Sequence, residues 1–173
     1  MNIKCHRIPL ILLTVISFFS SCTVFATENR PNVVVILADD LGLGDISFYV
    51  QTIQNKTPVV ETPTLDSLAS KSLWFTDGHS ATSLCAPTRY AVMSGNNNYR
   101  SYAPWGVWST FGKTAFKPGH ATLGTVARDA GYKTGFIGKW HLGLGWQKNT
   151  NNQIDFSKTL TAGPNSIGFN YSY

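Results

Sequence analysis

The sequence has 173 residues, 43% of them hydrophobic, with 14 basic and 9 acidic side chains. That is enough apolar material for one domain with a real core, so the composition excludes a disordered chain. The formal charge of +5 is spread without a basic run or stripe; this excludes a nucleic-acid surface and leaves only a mild preference for anionic substrates.

The first predicted element is a removable one. Lys4 and Arg7 form a basic start, Leu10 to Phe19 an apolar run too short to span a bilayer, and Val24-Phe25-Ala26 a cleavage site. Residues 1–26 therefore read as a secretory signal peptide cut after Ala26. The mature chain is expected to be exported, periplasmic or secreted, with no membrane span. A cut just before Cys22 would instead leave a lipid-anchored protein, although Phe19 is a poor match to the aliphatic residue such a signal prefers. Cutting after Ala26 removes Cys5 and Cys22, so Cys85 is left alone and no intramolecular disulfide can form. Twelve basic against nine acidic side chains then give the mature chain a net charge of +3.

Val33-Val34-Val35-Ile36-Leu37 is a branched apolar run between Pro31 and two aspartates, the pattern of a strand buried on both faces of a parallel sheet. Thr62-Pro63 starts a helix in which Leu65, Leu68 and Ala69 share one face. Residues 73–76 are expected to form a shorter strand. Cys85 opens a further helix. Leu123, Val126, Ala127 and Ala130 line another, started by Thr122 and ended by Gly131. Lys133 to Ile137 reads as a strand again. Alternating strands and helices imply an α/β fold, a mostly parallel sheet flanked by helices on both faces, with ligands at the carboxyl ends of the strands.

Three groups of residues fall at those ends. Asp39 and Asp40 directly follow the first strand, where they serve either a hard divalent cation or a solvated turn before Gly42. Cys85 stands at a helix N-terminus, four residues before Arg89, where unpaired N–H groups and a guanidinium favour the anionic sulfur; the alternative is a small buried apolar residue. Lys139 and His141 lie two apart in Gly138-Lys139-Trp140-His141-Leu142-Gly143, so in an extended segment both point one way and Trp140 the other. They are either a cation and a base sharing a pocket or a loop lysine and a packing histidine. His79 and His120 read as structural. Arg100, Tyr102, Trp105, Trp108 and Phe111 either stack on a sugar or aryl group or cover the core, and covering the core is the favoured reading.

Taken together these segments resemble the sulfatase family, within the alkaline-phosphatase-like superfamily, of the type whose nucleophile is a modified cysteine. The resemblance runs through Arg30-Pro31-Asn32-Val33-Val34-Val35-Ile36-Leu37-Ala38-Asp39-Asp40-Leu41-Gly42, Thr62-Pro63-Thr64-Leu65-Asp66, Cys85-Ala86-Pro87-Thr88-Arg89 and Ala130-Gly131-Tyr132 on to Gly143. It implies that Cys85 is oxidised by a formylglycine-generating maturation enzyme. The hydrated aldehyde would attack the sulfur of a sulfate ester in a sulfated small molecule or glycan, and aldehyde regeneration would release sulfate. It also implies that Asp39, Asp40 and the modified Cys85 bind Ca2+ (Mg2+ less readily), that Arg89 orients the nucleophile, that Lys139 bridges sulfate and hydrate, and that His141 accepts a proton.

Residues 27–173 would thus be the N-terminal part of a sulfatase catalytic domain. The further calcium ligands, lysine and histidine that the family draws from later sequence are not identifiable after Gly145, and residues 146–173 carry no sign of an element. Little or no turnover is expected of this chain alone, because calcium takes roughly six to eight oxygens. A phosphonate or phosphodiester hydrolase of the same superfamily and a non-catalytic, sulfated-glycan-binding fragment stand as alternatives.

Overall fold

The computed structural model describes residues 30–104, 107–109 and 111–173. The signal peptide, Cys5, Cys22 and Trp105 lie outside the described residues. The chain divides into two units after Leu37, and in the first of them residues 30–37 carry no regular secondary structure and are exposed.

In the second unit, one carboxylate ties two short helices together. Helix α1 (Ser47–Thr52) and helix α2 (Pro63–Ala69) meet where Asp66 accepts hydrogen bonds from the Ser47 hydroxyl (2.5 Å), the Phe48 N–H (2.9 Å) and the Thr62 hydroxyl (2.9 Å). These donors lie at the starts of both helices, where backbone N–H groups lack intrahelical partners. Phe48, Tyr49 and Trp74 pack edge to face beside this knot, with ring centroids 5.2 to 6.0 Å apart. Pro63 occupies the first turn of α2, where its missing N–H costs nothing.

Helix α3 (Cys85–Ser94) and helix α4 (Leu123–Asp129) frame the core. Tyr90 of α3 is buried and stacks on Trp108 at 5.2 Å and on Phe116 at 5.6 Å; Ala86, Ala115, Trp140, Leu142 and Ile167 complete the cluster. Of the aromatic candidates, then, Trp108 belongs to the core, whereas Tyr102 and Phe111 remain exposed. Helix α4 begins as predicted at Thr122, whose hydroxyl accepts from the Thr125 N–H (3.1 Å) and donates to the Ile167 carbonyl (2.6 Å). Gly124 lets α4 approach closely: a Cβ there would lie 2.6 Å from the Ile167 oxygen and 2.9 Å from the Phe169 ring. Gly131 follows the helix at φ +85°, the conformation that ends helices without a Cβ penalty.

Strand β1 (Gly135–Phe136) falls inside the predicted strand at 133–137 and pairs in parallel with β2 (Tyr171–Ser172), Gly135 opposite Tyr171 and Phe136 opposite Ser172. The chain is thus α/β with parallel pairing. Three expectations need correction. Residues 33–37 form no ladder, and Val34 and Ile36 are 80% and 86% exposed. A buried parallel strand needs neighbours to take its N–H and C=O groups, and among the described residues the only strands are β1 and β2. Residues 73–76 are irregular for the same reason. Residues 146–173, where no element was foreseen, supply β2 and a short 3-10 turn at Pro164–Ile167. No described helix is long and apolar enough to cross a membrane.

Candidate active site

Cys85 is the first residue of α3 and is partly buried. Its Sγ lies 3.4 Å from His141 Nδ1, joining residues 56 positions apart. His141 has φ +60° and is flanked by Gly138 and Gly143 at +105° and +76°. The segment therefore turns sharply on both sides of Trp140, which buries its ring in the core and donates from Nε1 to the Gly143 carbonyl at 2.8 Å. His141 at φ +60° departs from the extended backbone that the two-residue spacing presumes; Lys139 and His141 reach the cluster through separate contacts, Lys139 with Asp39 and Arg89, His141 with Cys85.

Arg89 lies one turn along α3 and is 9% exposed. Its Nη1 donates to the Lys139 carbonyl at 2.7 Å, and its Nη2 lies 3.5 Å from Asp39 Oδ1. The other oxygen of Asp39 accepts from Lys139 Nζ at 2.5 Å. One carboxylate is thus shared by two cations, and Cys85, Arg89, Lys139, His141 and Asp39 form one continuous cluster. Asp40, next in sequence, is exposed, has φ +58° and is not part of these contacts. The Asp39 to Lys139 pair joins residues 100 positions apart and has no local signature in the sequence.

The electrostatics follow from this geometry. The Lys139 hydrogen bond holds the Asp39 carboxyl below its usual range, against opposing desolvation and with help from Arg89. The same bond raises Lys139. His141 is pushed down, first by burial and then by the Lys139 and Arg89 charges, so its ring is kept neutral near pH 7. Two cations against one carboxylate leave one positive charge in excess beside the sulfur, which suits an anionic ligand.

The Sulfatase family model matches residues 31–172, nearly all of the described chain. The chain belongs to the sulfatase family. As a sulfatase it is 34% identical to N-acetylgalactosamine-6-O-sulfatase of Bacteroides thetaiotaomicron over 84% of this chain and 26% of that protein. It is 36% identical to human steryl-sulfatase over 100% of this chain and 27% of that protein. A solved structure from work on glycosaminoglycan metabolism by B. thetaiotaomicron superposes with a TM-score of 0.70 at 34% identity, covering 83% of this chain and 28% of the other. A second, determined in complex with k-i-k-neocarrahexaose, gives a TM-score of 0.56 at 25% identity, covering 78% and 26%. The fold is therefore that of the sulfatases, alkaline-phosphatase-like, and the chain spans about a quarter of the length of the curated relatives it matches.

The other candidates lie outside this cluster. His79 is exposed and its Nε2 lies 2.7 Å from Asp77 Oδ1. His120 packs obliquely on Tyr90 and Phe116. Among the described residues no group of three or more His, Cys, Asp or Glu side chains is arranged to hold a metal.

Proposed function

We propose that this chain supplies the nucleophile side of a sulfatase active site, which hydrolyses a sulfuric ester of a small molecule or glycan. The observation that carries the reading is the 3.4 Å approach of Cys85 Sγ to His141 Nδ1 beside the Arg89, Asp39 and Lys139 cluster. Oxidised to formylglycine by a maturation enzyme, residue 85 would supply a hydrated aldehyde as the group that attacks sulfur. The Sγ marks where an oxygen on the same Cβ would stand.

The remaining roles belong to this chain's own side chains. His141 Nδ1, held neutral by burial and by two nearby cations, is placed to take a proton from a hydroxyl at position 85. Lys139, whose Nζ is held by Asp39, offers a point charge to a sulfate oxygen. Arg89 holds Lys139 and Asp39 in place by binding the Lys139 carbonyl and the Asp39 carboxylate from a buried site.

Calcium fits the donor chemistry of Asp39 and Asp40, two successive oxygen ligands, only as part of a shell. The ion takes roughly six to eight oxygens, and Asp39 already serves two cations. Bound there with further ligands, it would supply a Lewis acid for a sulfate oxygen. Residues 27–173 are accordingly read as the N-terminal part of a sulfatase catalytic domain and residues 1–26 as its export signal, with a periplasmic or extracellular site of action. The relatives named for galactosamine-sulfate and steryl-sulfate support a sulfate ester as the substrate class.

Mass spectrometry of the chain co-expressed with a formylglycine-generating enzyme tests this reading. Cys85 is expected to be converted and to react with a hydrazide probe, and Cys85→Ala to abolish the labelling. A Cys85 that stays a thiol under those conditions refutes it.

A further inference from the structure

Near the end of α3 the chain builds a cavity of about 300 Å3, lined in part by Tyr90 of that helix. Tyr90, the lining residue on α3, lies five residues along the helix from Cys85, about 7.5 Å at 1.5 Å per residue. Arg100, Lys117, Asn96, Ser101, His120 and Tyr90 line it, and no acidic residue is among the described lining residues. Arg100 and Lys117 are exposed, and neither belongs to the ion pairs among the described residues.

Local structure holds these groups in place. Lys117-Pro118-Gly119-His120 is a tight turn closed by the His120 N–H on the Lys117 carbonyl at 3.1 Å, with proline second and glycine third at φ +75°. Arg100 ends a 3-10 turn that the Asn97 side chain caps by accepting the Tyr99 N–H at 3.1 Å. Asn96 Nδ2 binds the Ser94 carbonyl at 2.9 Å and reaches His120 Nε2 at 3.3 Å. A nitrogen that receives this contact is the unprotonated one, so the ring proton sits on Nδ1, which is buried without a partner. Two cations with no carboxylate among the described lining residues are the complement of an oxyanion, and the volume lies at the small end of ligand cavities, fitting one sugar unit.

We propose that this cavity is an anion subsite that takes a sulfate group of a polysulfated glycan, on a sugar distinct from the one presented to Cys85. The proposal rests on the sulfatase reading for its substrate and on Arg100, Lys117 and the 117–120 turn for its site. It makes the chain a reader of polyanionic chains and not of isolated esters.

Titration calorimetry of the full chain with a short sulfated dextran, unsulfated dextran and inorganic sulfate tests it. Sulfated dextran should bind, and the double variant Arg100→Gln, Lys117→Gln should weaken it by about tenfold, the scale of one charged hydrogen bond. The charge-keeping pair Arg100→Lys, Lys117→Arg should retain affinity. In the unaltered chain, sulfated dextran should shift the NMR signals of Gly119 and His120, which needs no variant to fold. Equal affinity of the Gln variant and the unaltered chain, or unmoved Gly119 and His120 signals at saturation, overturns the proposal. The readout is independent of residue 85: with Cys85→Ala the binding difference persists if the subsite is right. An unconverted Cys85 therefore sinks the catalytic reading alone, and an absent binding difference sinks the subsite alone.

Discussion

His141 is where a single residue makes the most measurable commitment. Burial and two cations lower its proton affinity in the folded chain, so between its folded value and about pH 6.5 the unfolded chain binds the proton and the folded chain does not. Stability contributed by the neutral ring is present above pH 6.5 and is lost as pH falls toward the folded value. Thermal melts from pH 7.5 to pH 5 should show a decline that His141→Gln reduces; identical slopes would contradict the assignment. Asp39 is also held low, by Lys139 first, and its contribution disappears only at more acidic pH, near and below the ordinary carboxylate range, so the two windows separate. Arg89 binds the Lys139 carbonyl from a site 9% exposed. Replacing it by methionine should lower the unfolding free energy by about 1–3 kcal/mol, because the part-buried Lys139 carbonyl loses its charged donor. Denaturant titration measures that loss.

At the scale of elements, helix α4 is held by its first residues. Thr122 caps the helix and donates to Ile167; Thr122→Ala removes both bonds and should cost about 2 kcal/mol. Gly124→Ala is the sharper case, since two effects oppose each other there. Alanine is favoured in a helix by about 1 kcal/mol, but the added Cβ would sit 2.6 Å from a backbone oxygen, and relieving such overlap by a backbone shift costs about 1–3 kcal/mol. The steric term wins, so Gly124→Ala should melt at a lower temperature than the unaltered chain. A higher melting temperature would mean that α4 and the 164–169 segment can separate freely.

For the whole molecule, the prominent feature is apolar surface. Val34, Ile36, Val59, Leu68, Leu73, Phe75, Val126 and Ile137 are each at least 55% exposed, and exposed apolar groups on this scale mark surfaces that bind other surfaces. The chain should raise the fluorescence of a hydrophobic dye such as ANS and self-associate with increasing concentration in sedimentation runs. A dye-silent, strictly monomeric chain would show that these residues are covered in solution. The same exposure explains why strands at 33–37 and 73–76 do not form here. Their hydrophobicity is right for a buried sheet, but a strand takes its stability from neighbours on either side.

Local chemistry was therefore readable without coordinates wherever a short stretch decides the outcome. The helix starts at Thr62 and Thr122, the stop at Gly131 and the thiol at a helix N-terminus all follow from capping and glycine freedom. Contacts between distant residues were not readable in this way. That Arg89 binds the Lys139 carbonyl, that Asp39 bridges two cations, that His141 meets Cys85, and that residues 171–172 complete a parallel pair with 135–136 all depend on how far-apart segments are brought together. Sequence determines which groups a segment presents and how its backbone can turn. Tertiary packing alone decides which of them meet, because the pairing of charges and strands is settled by burial and distance in space rather than by position along the chain.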